Sequence, residues 1–505
     1  MKKILSLFAI LLFAFTLASC GVTTQPDPEP FELCVKYPTH IDCLDDPVDP
    51  ADPVDPVETA LNFLDIYYMN DFHGAILEDG SNMGLSKIGN YLNHYSTEYP
   101  DNTLILAGGD MLQGSALSNY YSGLSTIDIM DEMKFDTFTL GNHEFDWGLD
   151  VVTQYFDEDE TNGEADFPLL GANVFHKGTT TMPDNIDPYA IIEKGDIKIG
   201  VIGTIGYGLE DSIAFSKVED YEFAYPVPII EEYAIHLRTV EECDIVIWVG
   251  HDSGYINDDL IALSGDASLD ALFNAHSHSE YADTTEDIPQ MQSKSTGQYI
   301  GHVRLSLDDE NNVTAYTAEN INLDALLLFE YQPVQALISQ YVEETAPLFN
   351  APIITAGEYL SKGDLSYWLT KLEVAATGAD IAFHNGSGGT RASISDGDMI
   401  TLSTLFEVWP FDNVIKTAYL DGETINNLKA SGYTYYTEET DFQTGVLYLV
   451  ATNDYIFDKP ENPFINGQLP TNTEIILRDL VEAELLLQSS IYDEFLLLNQ
   501  IQTTN

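Results

Sequence analysis

Five short apolar runs each end in a polar fragment, and this repeated arrangement restricts the fold more than any other feature of the sequence. The runs are residues 61–69, 103–107, 135–140, 244–250 and 271–275. Helix-like sequence joins each run to the next, and strands that alternate with helices are typical of a layered α/β fold. Ligands of such sheets bind at the carboxyl ends of strands. We therefore expect the five polar fragments to meet at one edge of a sheet.

The polar fragments contain the side-chain types that bind divalent metal ions. They are Asn70-Asp71-Phe72-His73-Gly74, Gly108-Gly109-Asp110, Gly141-Asn142-His143-Glu144-Phe145-Asp146, His251, and Ala275-His276-Ser277-His278. Carboxylate, imidazole and amide donors suit zinc, manganese, iron or cobalt. A single Asp-x-His or His-x-His pair is more often a loop or a polar core. Five such fragments in order, each at a strand end, favour a metal site.

The same fragments predict chemistry on a phosphoryl group. Two divalent ions about 3.5–4 Å apart can hold its attacking and leaving oxygens in line, and water bound to them ionises near pH 7 to give a hydroxide nucleophile. One carboxylate must bridge the ions, and Asp110 is the candidate. We interpret His143 as the proton donor to the leaving oxygen or as a stabiliser of developing charge, with Asp146 orienting it.

The motifs resemble those of one enzyme family. NDFHG, GGDMLQGSALS, GNHEFDWG, VGHDSG, AHSHSE and WPFDN are similar to strings of the 5′-nucleotidase family of calcineurin-like metallophosphoesterases. That family includes UDP-sugar hydrolases and 2′,3′-cyclic-nucleotide phosphodiesterases. The resemblance implies a four-layer α/β/β/α sandwich followed by a smaller C-terminal α/β domain. It also implies hydrolysis of nucleoside 5′-monophosphates, nucleotide sugars or cyclic nucleotides.

The resemblance further implies which residues act. One metal ion would be held by Asp71, His73, Asp110 and His278. The second would be held by Asp110, Asn142, His251 and His276. His143 and Asp146 match the catalytic dyad of the family. In the C-terminal domain the matching substrate-binding residues are Asn385, Arg391, Phe411, Asn413 and Tyr455, of which Phe411 and Tyr455 would enclose a base.

The C-terminal part departs from the family pattern. The glycine-rich loop from Asn385 to Arg391 is one residue longer, and residues 351–364 lack the family's second phosphate-binding arginine. The glycine–glycine–aspartate that binds ribose is missing after Tyr455, which leaves Asp458 or Glu461 as substitutes. Two alternatives to a nucleotidase therefore stay open. They are a phosphoesterase of the same fold with a non-nucleotide substrate, and a surface binding lipoprotein with a vestigial site.

The length of 505 residues exceeds what one hydrophobic core usually supports, so two domains are expected. We place a metallophosphoesterase domain at residues 61–331, a connecting helix at 332–349, and the C-terminal domain at 350–505.

The N-terminus predicts a surface lipoprotein. Two lysines precede a short apolar run, which ends in Leu17-Ala18-Ser19-Cys20 and is similar to a bacterial lipobox. Residues 1–20 would be a signal peptide, and lipidated Cys20 would anchor the chain to the outer face of a membrane. The alternative is an ordinary secretory signal. Residues 21–60 form an acidic spacer of Asp-Pro dipeptides, where Cys34 and Cys43 are expected to form a disulfide outside the cell, the alternative being a metal site with His40.

The net charge of the chain limits the kinds of molecule that it can bind. The chain has 83 acidic and 19 basic residues, a net charge of −64, and no stripe of lysine or arginine that could neutralise a nucleic-acid backbone. A long nucleic acid is therefore not an expected partner. A small anionic phosphoester could still be attracted by the metal ions, whose charge locally reverses the field. We expect a monomer that acts on such a small molecule.

Overall fold

The computed structural model describes residues 62–79, 82–159, 161–322 and 329–503. The expected signal peptide and spacer, with Cys20, Cys34 and Cys43, lie outside these residues. Within the described ranges, no helix combines the length and the apolar character needed to cross a membrane.

The N-terminal part contains a long series of strands. They are β1 (Asn62–Met69), β2 (Thr103–Ala107), β3 (Thr137–Thr139), β4 (Leu169–Leu170), β5 (Val174–His176), β6 (Tyr189–Lys194), β7 (Ile197–Ile205), β8 (Tyr221–Phe223), β9 (Ile245–His251), β10 (Ala271–Asn274), β11 (Glu280–Asp283), β12 (Gln290–Ser293), β13 (Tyr299–Leu307) and β14 (Val313–Asn322).

Helices separate many of these strands. They are α1 (Gly84–Glu98), α2 (Ala116–Tyr120), α3 (Leu124–Glu132), α4 (Leu149–Thr153), α5 (Phe215–Val218), α6 (Val227–Thr239), α7 (Asn257–Ile261) and α8 (Gln332–Phe349).

Two six-stranded sheets pack face to face, in the orders β14-β13-β1-β2-β3-β4 and β11-β12-β10-β9-β7-β6. Their inner faces share one apolar core, in which Ile66 and Leu106 of the first sheet are clustered with Val201 and Ile247 of the second. Helices α1, α3 and α8 cover the outer face of the first sheet, and α6 covers that of the second. The predicted α/β/β/α sandwich is confirmed.

The direction of the strands positions the site. β1, β2 and β3 are mutually parallel neighbours, and so are β7, β9 and β10. Both faces of these strands are covered, and β2 and β9 are accordingly buried along their whole length. Their carboxyl ends lie at one edge of the sandwich, where polar side chains are free to converge.

The C-terminal part is a smaller α/β domain, as predicted. Its strands are β15 (Ile354–Ala356), β16 (Ile381–His384), β17 (Met399–Ile400), β18 (Val414–Asp421), β19 (Thr434–Thr437), β20 (Leu447–Asn453), β21 (Gln468–Ile476) and β22 (Glu494–Phe495). Its helices are α9 (Lys362–Thr377), α10 (Leu402–Val408), α11 (Gly422–Lys429), α12 (Asp454–Phe457) and α13 (Leu477–Ser489). The sheets have the orders β19-β16-β20-β18-β21 and β17-β15-β22.

Helix α8 contacts both parts of the chain. Near its middle, the Tyr341 hydroxyl donates a hydrogen bond to Asp128 of α3. At its end, the Phe349 ring lies 5.9 Å from that of Phe406 in α10, measured between ring centroids. The helix therefore packs on the N-terminal sandwich and also touches the C-terminal domain.

Candidate active site

The structure brings the seven residues predicted to bind metal to the same sheet edge. Three groups have ligand atoms within 4.8 Å of one another: Asp71 with His73 and His278, His73 with Asp110 and His143, and Asp110 with His251 and His276. The groups share members, so they form one continuous cluster. Asn142 joins it through its side-chain oxygen, as its distances below show.

Five of these residues have left-handed backbone conformations. Their φ angles are 49° at Asp71, 54° at His73, 53° at Asp110, 69° at His276 and 52° at His278. This region is unfavourable for residues other than glycine, and such strain is concentrated at functional sites. Backbone hydrogen bonds hold the turns, for example from the Asp71 N–H to the Gly109 carbonyl at 3.0 Å. The chain turns sharply as each strand ends and directs these side chains toward one point.

One half of the cluster surrounds Asn142. Its Oδ1 atom lies 3.2 Å from His251 Nε2 and 3.0 Å from His276 Nδ1. His251 Nε2 also lies 3.2 Å from Asp110 Oδ2. Metal–ligand bonds of about 2.0–2.2 Å place neighbouring donors about 2.8–3.6 Å apart. The four side chains are therefore spaced as adjacent corners of one coordination shell.

The other half surrounds His278. Its Nε2 atom lies 3.2 Å from His73 Nε2 and 3.3 Å from Asp71 Oδ1. Asp71 is fully buried, and its Oδ2 atom accepts a hydrogen bond from the His276 N–H at 2.9 Å. Its Oδ1 atom has no hydrogen-bond partner among the described residues. An acceptor left open beside two imidazoles fits a cation at this point.

Backbone carbonyls orient two of the histidines. His73 Nδ1 lies 3.0 Å from the Gln113 carbonyl, and His251 Nδ1 lies 2.9 Å from the Gly108 carbonyl. A carbonyl can only accept, so each Nδ1 carries the proton and each Nε2 keeps its lone pair. This is the usual outer support of a metal-binding histidine. The donor set and its support therefore fit divalent metal ions.

His143 and Asp146 form a hydrogen-bonded pair, with 2.7 Å between His143 Nδ1 and Asp146 Oδ2. The short 3₁₀ turn His143–Phe145 brings them to the same side of the chain. Burial lowers the pKa of His143, but the carboxylates of Asp146 and Asp110 outweigh burial and raise it to about 9. The backbone N–H of His143 donates to Asp110 Oδ1 at 2.8 Å, which places the dyad beside the metal cluster.

Glu144 supports the site, although no role was predicted for it from the sequence. It is fully buried, and its carboxylate accepts hydrogen bonds from the N–H groups of Gly141 and Asp110, both at 2.8 Å, and of Met111 at 3.0 Å. Burial and the neighbouring Asp110 carboxylate raise the pKa of Glu144 to about 7. In the sequence, the feature that could have indicated this supporting role is the position of Glu144 between His143 and Asp146.

A cavity of about 260 Å³ lies beside the dyad, between the two domains. All five predicted substrate-binding residues line it: Asn385, Arg391, Phe411, Asn413 and Tyr455. Its N-terminal wall includes Asn142, His143, Asp146, Ser212, Ala214, Lys217 and His276. Of these, Ser212, Ala214 and Lys217 were not predicted. A larger cavity of about 440 Å³, beside Asp136 and Lys194, contains none of the predicted site residues.

The aromatic residues of the cavity have close partners. The Phe411 ring is stacked on His143 with 6.2 Å between centroids and 20° between planes. The Tyr455 ring is covered on one face by Lys459, whose Nζ lies 4.4 Å from the ring centroid. Phe411 therefore connects the cavity to the dyad, while Tyr455 offers a ligand only its other face.

The polar residues of the cavity are held within the C-terminal domain. Asn413 Nδ2 donates to Asp454 at 2.8 Å, and Asn385 Oδ1 accepts from Asn453 at 3.1 Å. Arg391 has an exposed side chain. Asp458, a suggested substitute for the family's ribose-binding aspartate, forms an ion pair of 2.6 Å with Lys416 and does not line the cavity.

Two family models match the chain. The calcineurin-like phosphoesterase model matches residues 64–280, and the 5′-nucleotidase C-terminal domain model matches residues 354–443. The chain is also similar to the solved 5′-nucleotidase precursor from Thermus thermophilus, with 19% identity and a TM-score of 0.67, covering 86% of this chain and 98% of that one.

Curated relatives include endonuclease YhcR of Bacillus subtilis, 24% identical over 82% of this chain and 36% of its own length. The snake venom 5′-nucleotidase of Naja atra is 24% identical over 72% of this chain and 74% of its own length. The chain thus spans about a third of the Bacillus relative and about three quarters of the cobra relative. With the motifs, the fold and both family models in agreement, the chain belongs to the calcineurin-like phosphoesterases that carry a 5′-nucleotidase C-terminal domain, a family of metal-dependent phosphoesterases.

Proposed function

We propose that the protein hydrolyses nucleotides at two divalent metal ions and releases phosphate from nucleoside 5′-monophosphates. Nucleotide sugars and cyclic nucleotides are further substrates under this proposal. One observation carries it: the His143–Asp146 dyad lies beside the metal cluster and in the same cavity as Phe411 and Tyr455. Aromatic faces that can stack on a base are thus next to groups that can act on a phosphate.

The proposed ligands of the two ions follow the two halves of the cluster. Asp71, His73, Asp110 and His278 would hold one ion, and Asp110, Asn142, His251 and His276 would hold the other. When bound, zinc, manganese, iron or cobalt ions would neutralise phosphate charge and activate water.

The protein residues do the remaining work in this proposal. His143 donates a proton to the leaving oxygen, because Asp146 engages its Nδ1 atom and leaves Nε2 to face the substrate. Arg391 binds phosphate oxygens, for which its planar guanidinium is well suited. Phe411 and the open face of Tyr455 bind the base, and Asn413 and Asn385 contact the nucleoside.

A substrate panel tests the proposal. Purified protein reconstituted with manganese or zinc is incubated with 5′-AMP, 2′,3′-cyclic AMP and UDP-glucose, and product release is measured. Hydrolysis of at least one of them by the reconstituted protein, and not by a chelated sample, supports the proposal. If the metal-loaded protein leaves all three intact, the proposal is wrong.

A second candidate is a phosphoesterase of the same fold that acts on a non-nucleotide substrate. Two contacts favour it: Lys459 covers one face of Tyr455, and Lys416 engages Asp458. Hydrolysis of a simple aryl phosphate that adenosine does not inhibit supports this candidate. Competitive inhibition by micromolar adenosine supports the nucleotidase.

We further propose that the protein is an extracellular lipoprotein, anchored through Cys20 and carrying a Cys34–Cys43 disulfide in its spacer. The motif before Cys20 and the compartment it implies support both proposals. Fractionation of cells that express the wild type and Cys20→Ser tests the anchor. Equal retention of both proteins in the membrane fraction would contradict it. Mass spectrometry of the unreduced spacer peptide tests the disulfide.

A further inference from the structure

Two cationic side chains face the cavity from opposite domains. Lys217 lies on α5 of the N-terminal domain, and Arg391 follows the glycine-rich loop of the C-terminal domain. The chain has 19 basic against 83 acidic residues, so a small cavity lined by two cations is unusual for it. Arg391 was predicted from the sequence to bind substrate, whereas Lys217 was not.

The acidic side chains that line the same cavity already have partners. Asp146 is bonded to His143 at 2.7 Å, Asp412 is paired with Arg478, and Asp454 accepts from Asn413 at 2.8 Å. None of these carboxylates is paired with Lys217 or Arg391. The N–H groups that the two cations turn to the cavity are therefore left for a ligand.

Both cations lack a carboxylate partner within the part of the chain that the structure describes. Lys217 is half-buried and donates to the Trp147 carbonyl at 3.3 Å, which occupies one of its three N–H groups. A partly buried ammonium group without a counter-charge favours an anion, and charge-assisted hydrogen bonds to phosphate are strong. Phosphate oxygens thus suit the two N–H groups that remain.

The segment that carries Lys217 is fixed against the C-terminal domain. Helix α5 contacts α12, the short helix that contains Tyr455. Close by, Lys459 Nζ donates to the carbonyl of Asp211 at 3.0 Å. Lys217 is therefore held opposite Arg391 and beside the ring proposed to bind the base.

We propose that Lys217 is a substrate-binding residue whose ammonium group binds a phosphate oxygen of the substrate from the metal-bearing domain, opposite Arg391. Lys217 would neutralise phosphate charge in place of the family's second arginine, which is missing from residues 351–364. This inference rests on the proposed phosphoesterase function. It adds an N-terminal residue to a recognition site otherwise built from the C-terminal domain.

Lys217→Met tests the inference, because methionine keeps most of the length of the side chain and removes its charge. We expect the KM for a phosphate monoester to rise about 10-fold or more, with a smaller change in kcat. Inorganic phosphate, measured by calorimetry and as a competitive inhibitor, should bind more weakly by a similar factor. Lys217→Arg should keep most of the affinity, which a purely structural role for the ammonium group would not require.

Lys177→Met is the matched control. Lys177 contacts the same segment through the Glu219 carbonyl and the Phe215 ring but does not line the cavity. Its KM and phosphate affinity should equal those of the wild type. Wild-type KM and phosphate affinity in folded Lys217→Met would overturn the inference. An inactive wild type that still binds phosphate through Lys217 would instead overturn the proposed function alone.

Discussion

Glu144 Oε2 accepts a hydrogen bond of 2.8 Å from the backbone N–H of Asp110, which lies 34 residues earlier in the chain. This hydrogen bond connects the turn after β3 to the turn after β2. The second oxygen, Oε1, accepts from the Met111 N–H at 3.0 Å. One buried carboxylate thus fixes the backbone position of Asp110, the ligand proposed to be shared by both metal ions.

Glu144→Gln should weaken metal binding. The amide keeps the volume of the side chain but replaces one acceptor oxygen with a donor, so a buried N–H of the Asp110 turn loses its partner. We expect an affinity loss of about 10- to 100-fold, as for other groups that support metal ligands. Titration calorimetry measures the metal affinity, and Glu219→Gln, a substitution of an exposed glutamate, is the control. Equal metal affinity in Glu144→Gln and the control would show that this carboxylate does not position Asp110.

His143→Ala should reduce kcat by about 10²- to 10⁴-fold, the usual range for loss of a general acid. Its metal content should stay at the wild-type level, because His143 is not among the proposed ligands. Rate assays and elemental analysis of the same preparation check both expectations. Unchanged turnover with full metal content would remove His143 from the mechanism and favour a surface binding protein with a vestigial site.

The metal cluster could be predicted from the sequence because the rule that places it is topological. Parallel strands end at one edge of a sheet. Polar residues that follow them therefore lie close together, and the detailed conformation of the turns does not change this. Asp71, Asp110 and His251 could thus be assigned to one place from the order of strands and polar fragments alone. The GNHE string added Asn142 because a turn glycine followed by polar side chains at a strand end is rarely a core.

Contacts between distant segments could not be predicted in this way. Lys217 reaches the cavity only because α5 packs on α12, and no local pattern marks that packing. The left-handed conformation of His276 likewise follows from the whole set of turns, because histidine enters this region more often than most residues but still only in a small fraction of cases. The contact between Lys459 and Tyr455 is instead local in sequence, because Lys459 lies four positions after Tyr455, just beyond the end of α12.

Phe411→Leu should impair binding of nucleotides more than binding of simple phosphate esters. Base stacking on an aromatic ring contributes about 1–3 kcal/mol, which corresponds to a KM increase of roughly 5- to 150-fold for 5′-AMP. The KM for an aryl phosphate should change less, because leucine preserves most of the apolar volume. Tyr419→Leu, an exposed aromatic outside the cavity, is the control. A uniform rise in KM for both substrates would argue against a base at this site.

The buried side chain of Glu373 should make the stability of the folded protein depend on pH. Its side chain is fully buried in α9, and neither carboxylate oxygen has a partner among the described residues. Burial raises the pKa of Glu373 well above its ordinary value of 4.5, so the folded protein keeps the proton. The unfolded chain releases it as the pH rises above 4.5. The unfolded state then binds fewer protons than the folded state, and this group lowers stability increasingly with rising pH.

Glu373→Met should therefore stabilise the protein, and more strongly at high pH. Removing a buried polar group without a hydrogen bond is expected to add about 1–3 kcal/mol to the free energy of unfolding. The gain should be larger at about pH 8 than at about pH 5, because only the wild type must retain a proton there. Urea unfolding at both pH values measures it, with exposed Glu343→Met in α8 as the control. A stabilisation that is the same at both pH values would mean that Glu373 ionises in the folded protein as it does in the unfolded chain.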